Sequence, residues 1–479
     1  MDRTAKKIIY TALLAIIPVV TMAQASGGQI RRKLNVSERN TQNKRNNDIN
    51  LKHNSNVVSY KYEKVDKFSE SLAPVMLNGK WGFIDKSGNE IVPCVYEAVD
   101  LFESGVAKVK LNGSFGFIDK MGKNIIPCRY EAVSSFKGNE TYVTINGKSG
   151  VIDKTGKIIA PCIYERVSGY FQYGEDLAMV KLYGKYGFID KTGSLVIPCI
   201  YESAWPFSEG VACVRLNGKD GFINKSGNLI IPCQLNYAYP FEEGLAAVKY
   251  NGGWGYIDKT GRFVIPNKLE DARSFSEGIA AVKYNGREGF IDNLGNILIP
   301  CKYDMVFPFK DGLATVRLNG KAGVINKKGQ EIIPCIYNNP STILFEFVEG
   351  ITVVQIGSKY GFVSKSGREI APCIYDSANN YSEGVAVVRY NGKWGCIDAD
   401  GQEVIPCNYD MISNCSDGML MVKLNGKYGY INKTGKVVIP IKYDNACPFS
   451  EGYAAVEING KWGFIEKDGR NLPLRGNSR

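Results

Sequence analysis

Histidine is nearly missing, with His53 the one copy in 479 residues. A Ser-His-Asp triad, a Cys-His pair or a multi-histidine metal site elsewhere in the chain is thereby excluded. Cysteines at metal-ligand spacing are absent as well. No Cys-x-x-Cys occurs, and the closest two cysteines, Cys407 and Cys415, stand eight residues apart, so no zinc, iron–sulfur or other cofactor is expected. Excess charge is scarce where the chain should fold: of the formal +11, +2 belongs to residues 1–25 and +5 to residues 26–56, leaving +4 for residues 57–479. A nearly balanced domain lacks the basic stripe of a nucleic-acid binder, and no nucleic-acid partner is expected.

Long apolar runs are limited to Ile8–Val20, preceded by Arg3, Lys6 and Lys7 and followed by small residues at Ala23 and Ala25. That run is short for a bilayer span, and residues 1–25 read as an export signal, leaving no transmembrane segment after cleavage. Residues 26–56 are polar and aperiodic and read as a disordered basic arm that includes His53. An exported protein of the periplasm, cell surface or medium is expected.

What the chain has in plenty is glycine, tyrosine and a fixed period. The 52 glycines and 28 tyrosines favour turn-rich β structure. An aromatic-Gly step recurs with its glycine at Gly82, Gly116, Gly150, Gly187, Gly221, Gly255, Gly289, Gly323, Gly361, Gly395, Gly429 and Gly463. The spacing is 34 apart from two short insertions, near residues 169–176 and 338–346. A second glycine follows six residues later in every copy, and a proline follows eleven residues later in eleven copies. Tetratricopeptide repeats share this period, but the pattern excludes them. The unit from Ala247 to Pro266 alternates apolar and polar residues and carries three glycine-bearing turns, which a helix pair would not tolerate.

In that unit Asn251-Gly252 forms a tight hairpin turn, Asp258-Lys259-Thr260-Gly261 forms a second turn, and a third strand ends at its proline. The expectation is an all-β tandem array of about twelve three-stranded antiparallel units over residues 57–474, followed by a tail at 475–479. Each unit continues in a linking segment such as Cys94 to Gly105. An open superhelix is the leading architecture, because twelve blades exceed the usual propeller range; β-propeller-like rings are the alternative. Residues Tyr62 to Ala73 match the linking segment while the last unit lacks one, an offset that would let the two ends complete each other in a closed ring or else cap the ends of an open array.

The segment Asn78-Gly-Lys-Trp-Gly-Phe-Ile-Asp-Lys-Ser-Gly88, echoed at Asn391–Gly395 and Asn459–Gly463, resembles the hallmark of the WG (KWG) repeat family of bacterial β-repeat proteins. The resemblance covers residues 57–474. It implies an exported or cell-envelope bacterial protein of largely undefined function, and does not imply catalysis.

Nine of the thirteen cysteines follow the strand-ending proline at one repeat position, which suits small buried side chains better than a disulfide framework. Eight acids, among them Glu97, Glu131, Asp376 and Asp444, each follow a tyrosine and read as turn acids. The lysine of the second turn reads as a solvated charge. Trp81, Trp254, Trp394 and Trp462, with Tyr186, Tyr360 and Tyr428 at the same position, form the candidate ligand-binding set, with packing between units as the competing reading. The expected function is a non-catalytic binding or scaffold module at the cell envelope, for an extended glycan or peptide. A glycan-active enzyme using a carboxylate pair and a purely structural spacer are the alternatives.

Overall fold

The computed structural model describes residues 57–58, 60–168, 176–338 and 345–475. The expected signal and arm, His53, most of both insertions and the tail after residue 475 lie outside them. All regular structure among the described residues is β: twelve small antiparallel sheets in chain order, plus a two-stranded pair formed by the first and last described strands.

In the first sheet the strands are Lys64–Val65, Leu72–Leu77, Lys80–Asp85 and Glu90–Tyr96, hydrogen-bonded in that order. The central hairpin turns at Asn78 and Gly79, with φ of 52° and 70°. Two successive positive φ values give the turn a twist that matches the strands, which is why Asn-Gly recurs there. The linking segment is more than a link. Ala98–Val99 pairs with Lys110 and Val109 and becomes the first strand of the next sheet. Ten of the twelve sheets therefore have four strands among the described residues, correcting the three-stranded unit.

The fourth strand is bent by its own sequence. Trp81 faces Tyr96 and Phe83 faces Val92, so two residues on one strand oppose four on the other. Pro93 has no N–H to give a ladder and sits in this bulge. The bulged backbone passes directly over the glycine of the aromatic-Gly step. A Cβ on Gly187 would meet the Ile197 carbonyl oxygen at 2.5 Å and the Cys199 sulfur at 2.8 Å. The recurring glycine is thus required by close approach of two strands, with no special φ involved.

Each sheet is buried on both faces. Phe83 lies in a cluster with Phe102, Ala107, Val109 and Ile118 of the following sheet, while Ile84 lies in a cluster with Ala455 and Phe464 of the last. Twelve such clusters exist, one per interface, including the one between the last sheet and the first. A packed aromatic pair recurs across them: Phe83–Phe102, Phe188–Phe207, Phe222–Phe241 and Phe290–Phe309 all have centroids 4.8 or 4.9 Å apart.

The ends close the circle. Asn471 bridges Ile465 and Leu472 donates to the Phe464 carbonyl, supplying the first half of the twelfth blade's fourth strand. Tyr62 bridges Trp462 and supplies the second half, as Tyr96 does for Trp81 in the first blade. Val57–Val58 pairs with Leu474–Arg475 alongside. The twelve sheets of the described residues form a closed twelve-bladed propeller. The open superhelix is corrected in favour of the ring alternative, because uniform interfaces turn the chain steadily enough for twelve blades to meet.

Candidate functional site

The aromatic of the aromatic-Gly step begins the third strand of its blade and sits in a cross-strand row. In the fourth blade Lys181 faces Tyr186, and Tyr186 faces Tyr201. The second-strand cation covers the ring: Lys181 lies 5.4 Å from the Tyr186 centroid, Lys423 4.9 Å from Tyr428 and Arg389 5.9 Å from Trp394. Trp81, Trp394, Trp462, Tyr186 and Tyr428 are half-buried at the edges of the clusters between blades, and Tyr360 is half-buried opposite Tyr375. Trp254 is only 8% exposed, and Tyr239 stacks on it at 5.6 Å, so it offers little more than an edge. These side chains stand one per blade around the ring, and the structure does not bring them together at one place.

The residue after each fourth strand has one job in all twelve blades. Glu63 accepts from the N–H groups of Asn78 and Gly79, Glu131 from Asn146 and Gly147, and Asp376 from Gly392. Glu97, Glu165, Glu202, Asn236, Glu270, Asp304, Asn338, Asp410 and Asp444 cap the remaining hairpin turns. The Lys359 ammonium, with the Gly392 N–H, holds the Asp376 carboxyl below the usual carboxylate range.

On the opposite rim the second-turn lysines tie blades together. Lys120 reaches Glu70 of the preceding blade at 3.0 Å, Lys259 reaches Glu209 at 3.1 Å, and Lys327 reaches Glu277 at 3.1 Å. Lys86 closes the circle onto Glu451 at 3.0 Å. Their reading as purely solvated charges is corrected. Each of these glutamates also accepts from the next blade, as Glu70 does from Gly105.

Against this regular background, blades 4 to 6 depart. The position held by Asp100, Ser134 and Ser168 in earlier blades becomes Trp205 and then Tyr239, and the position held by Ala98 and Ala132 becomes Arg166 and later Tyr237. Trp205 is 40% exposed. It lines a cleft of about 400 Å³ with Arg166, Ser168, Tyr186, Arg215, Asp220 and Tyr237. A neighbouring hollow is lined by Tyr237, Tyr239, Lys249 and Trp254. At the floor of the cleft Asp220 replaces the usual aromatic. It is 5% exposed and is held by Arg215 at 2.6 Å and by the Ala238 N–H at 2.9 Å. Arg215 also donates to the Asn236 carbonyl.

Sequence reasoning missed Trp205, Tyr237 and Tyr239 because it searched for positions that repeat. The available signal was the reverse: aromatic residues where sister blades carry alanine, serine or aspartate. Among the described residues no three His, Cys, Asp or Glu side chains converge as metal ligands would.

Among solved structures, a crystal structure of the eukaryotic initiation factor aligns at 11% identity over 70% of this chain and 100% of its own, with a TM-score of 0.35. The extracellular domain of the putative hybrid two component system BT3049 from B. thetaiotaomicron aligns at 11% identity over 85% and 70%, with a TM-score of 0.20. PorZ, a surface component of the type-IX secretion system of Porphyromonas gingivalis, aligns at 11% identity over 85% and 63%, with a TM-score of 0.22. Similarity at this level carries no functional argument. None of the curated proteins matches the sequence. The model of the WG containing repeat matches twelve consecutive times, from residues 49–81 to residues 428–462, and each match after the first runs between equivalent points of adjacent blades. Twelve matches spanning nearly the whole ring make the chain a member of the WG-containing repeat family.

Proposed function

We propose that the protein is an exported, non-catalytic binding or scaffold module of the bacterial cell envelope that holds an extended ligand on the aromatic side of blades 4 to 6. The observation that carries this reading is Trp205, a large apolar ring left 40% exposed over a cleft walled by Tyr186 and Tyr237. Aromatic rings facing solvent beside polar groups suit ligands that are apolar on one face and hydrogen-bonding on the other, as a sugar ring is. The basic, apolar and small-residue order of residues 1–25 supports export.

The catalytic alternative finds less support. A glycosidase needs two carboxylates facing the scissile bond. The acids after each fourth strand serve hairpin turns, and the one carboxylate lining the Trp205 cleft, Asp220, is committed to Arg215 and Ala238. Retention of envelope glycans or proteins by the full mature chain, weakened by Trp205→Ala with an unchanged melting profile, is the expected result. Retention of none, or retention indifferent to Trp205, refutes the reading. N-terminal sequencing of the mature protein tests export.

A further inference from the structure

The Trp205 cleft contains a charge that stacking alone does not use. Arg166 opens the first strand of blade 4, its side chain is exposed, and it lines the cleft. Among the described residues it has neither an ion pair nor a hydrogen bond from its guanidinium. The other guanidinium of the cleft, Arg215, is already spent on Asp220 and the Asn236 carbonyl. Arg166 is therefore the uncommitted cation of a cleft whose second cation and single carboxylate neutralise each other.

Two positions further along the same strand face, Ser168 also lines the cleft. Its hydroxyl oxygen is buried and has no hydrogen-bond partner. A buried hydroxyl left unsatisfied needs an explanation, and an enclosed water beneath the cleft would supply one. The cleft thus presents an exposed indole, a half-buried tyrosine on the facing blade and one free guanidinium.

We propose that this cleft, resting on the binding function above, is a subsite for a sugar unit that carries a carboxylate, such as a uronic acid within an acidic polysaccharide. The C–H face of the pyranose lies on Trp205 and the carboxylate takes the Arg166 fork. A guanidinium matches a carboxylate in a planar, two-bond geometry, and a partly enclosed site strengthens that match. One free cation suits a monoanion. A dianionic phosphate would leave a charge uncompensated beside Asp220.

The test is titration of the full mature chain, followed by tryptophan fluorescence and calorimetry, with three probes: an oligouronate, the same oligomer as its methyl ester, and an acidic peptide of equal charge. The oligouronate should bind, Arg166→Met should weaken it about tenfold, the loss of one charged contact of about 1.4 kcal/mol, and Arg166→Lys should fall between. The methyl ester should bind wild type as weakly as the acid binds Arg166→Met. Trp205→Ala should abolish binding of both oligomers. Equal affinity for acid and ester overturns the carboxylate subsite and leaves the general binding function standing. Binding of the peptide in place of the oligouronate overturns the sugar assignment. Indifference of the oligouronate to both Trp205 and Arg166 removes the cleft from the binding function altogether. Unchanged circular dichroism of each variant separates these outcomes from misfolding.

Discussion

The Ser450 hydroxyl donates to the Phe68 carbonyl at 2.9 Å, joining residues 382 positions apart. Ser69 makes the same bond to Phe102, Ser208 to Phe241, Ser276 to Phe309 and Ser416 to Phe449, each 33 positions on. The seam between the chain ends is therefore built like the seams between blades joined by continuous chain. What differs is that the fourth strand at this seam comes from both ends, Asn471–Leu472 and Tyr62.

Removing residues 57–63 should open the ring at that seam. The fully buried Tyr62 ring leaves its cluster with Phe68, Ala455 and Phe464, a loss of about 3–5 kcal/mol on the scale of large-to-alanine core changes. The X-ray scattering radius of gyration should rise, and hydrogen exchange should quicken in residues 453–475 and 64–77. An unchanged scattering profile would show that the ends do not hold the circle.

Two glycines three residues apart should respond differently to alanine. Gly392 sits in a hairpin turn at φ +81° with open space around it, so Gly392→Ala should cost about 1–2 kcal/mol of left-handed strain. Gly395 has ordinary φ, but its Cβ would meet the Ile405 carbonyl at 2.5 Å and the Cys407 sulfur at 2.7 Å. Because backbone must move, Gly395→Ala should cost about 3 kcal/mol or more. Local unfolding by hydrogen exchange is the suitable measure, since an array of blades need not unfold in one step. Equal costs would contradict the close crossing of the two strands.

This contrast also marks what could be read from residues alone. The hairpin at Asn391-Gly392 follows from turn chemistry, and so do the period and the strands. The four-stranded blade was hidden because its first strand is two residues long, and a pair such as Ala98–Val99 carries no alternation of its own. Ring closure was visible as an offset at Tyr62 but not decidable, since it depends on a small rotation per blade set by tertiary packing of pairs such as Phe83 on Phe102. In the candidate site, the recurring aromatics were legible and Trp205 was not, because periodicity averages away the positions where one blade differs.

Acid should loosen the ring from its glutamate rim. Burial alone would raise Glu70 and Glu451, but Lys120 and Lys86 with the backbone N–H groups outweigh it and hold both carboxyls below the ordinary range. Glu277 is lowered chiefly by its bond to Lys327. A carboxyl depressed in the folded state contributes fully above its unfolded value, and that contribution is lost as pH falls through the folded value. Melting temperature should therefore decline between about pH 5 and pH 3. These side chains are partly exposed, so added salt should weaken the lysine contribution at neutral pH and leave the N–H contribution. A melting temperature that rises on acidification would refute this account.

The thirteen cysteines are all free thiols, and their environments make them slow. Nine follow the bulge proline and lie over the second strand, as Cys94 does with its sulfur 3.6 Å from the Val75 carbonyl. Burial pushes Cys94 and Cys335 up to about 11 and Cys396 up to about 12. The thiolate is the reactive form, so at pH 8 only a small fraction of each would be available even where a reagent could reach it. Alkylation of the native ring should be slow at every site and slowest at the fully buried Cys213 and Cys396. Denaturant should release thirteen equally reactive thiols, counted by mass spectrometry without any reducing agent. Under the export proposed above, an oxidising compartment would make this a demanding test, because any strained or accessible pair would oxidise there. A mass deficit of two hydrogens per pair in the unreduced protein, or rapid labelling of Cys396 in the native ring, would show that the closely packed strand crossing around each cysteine does not protect it.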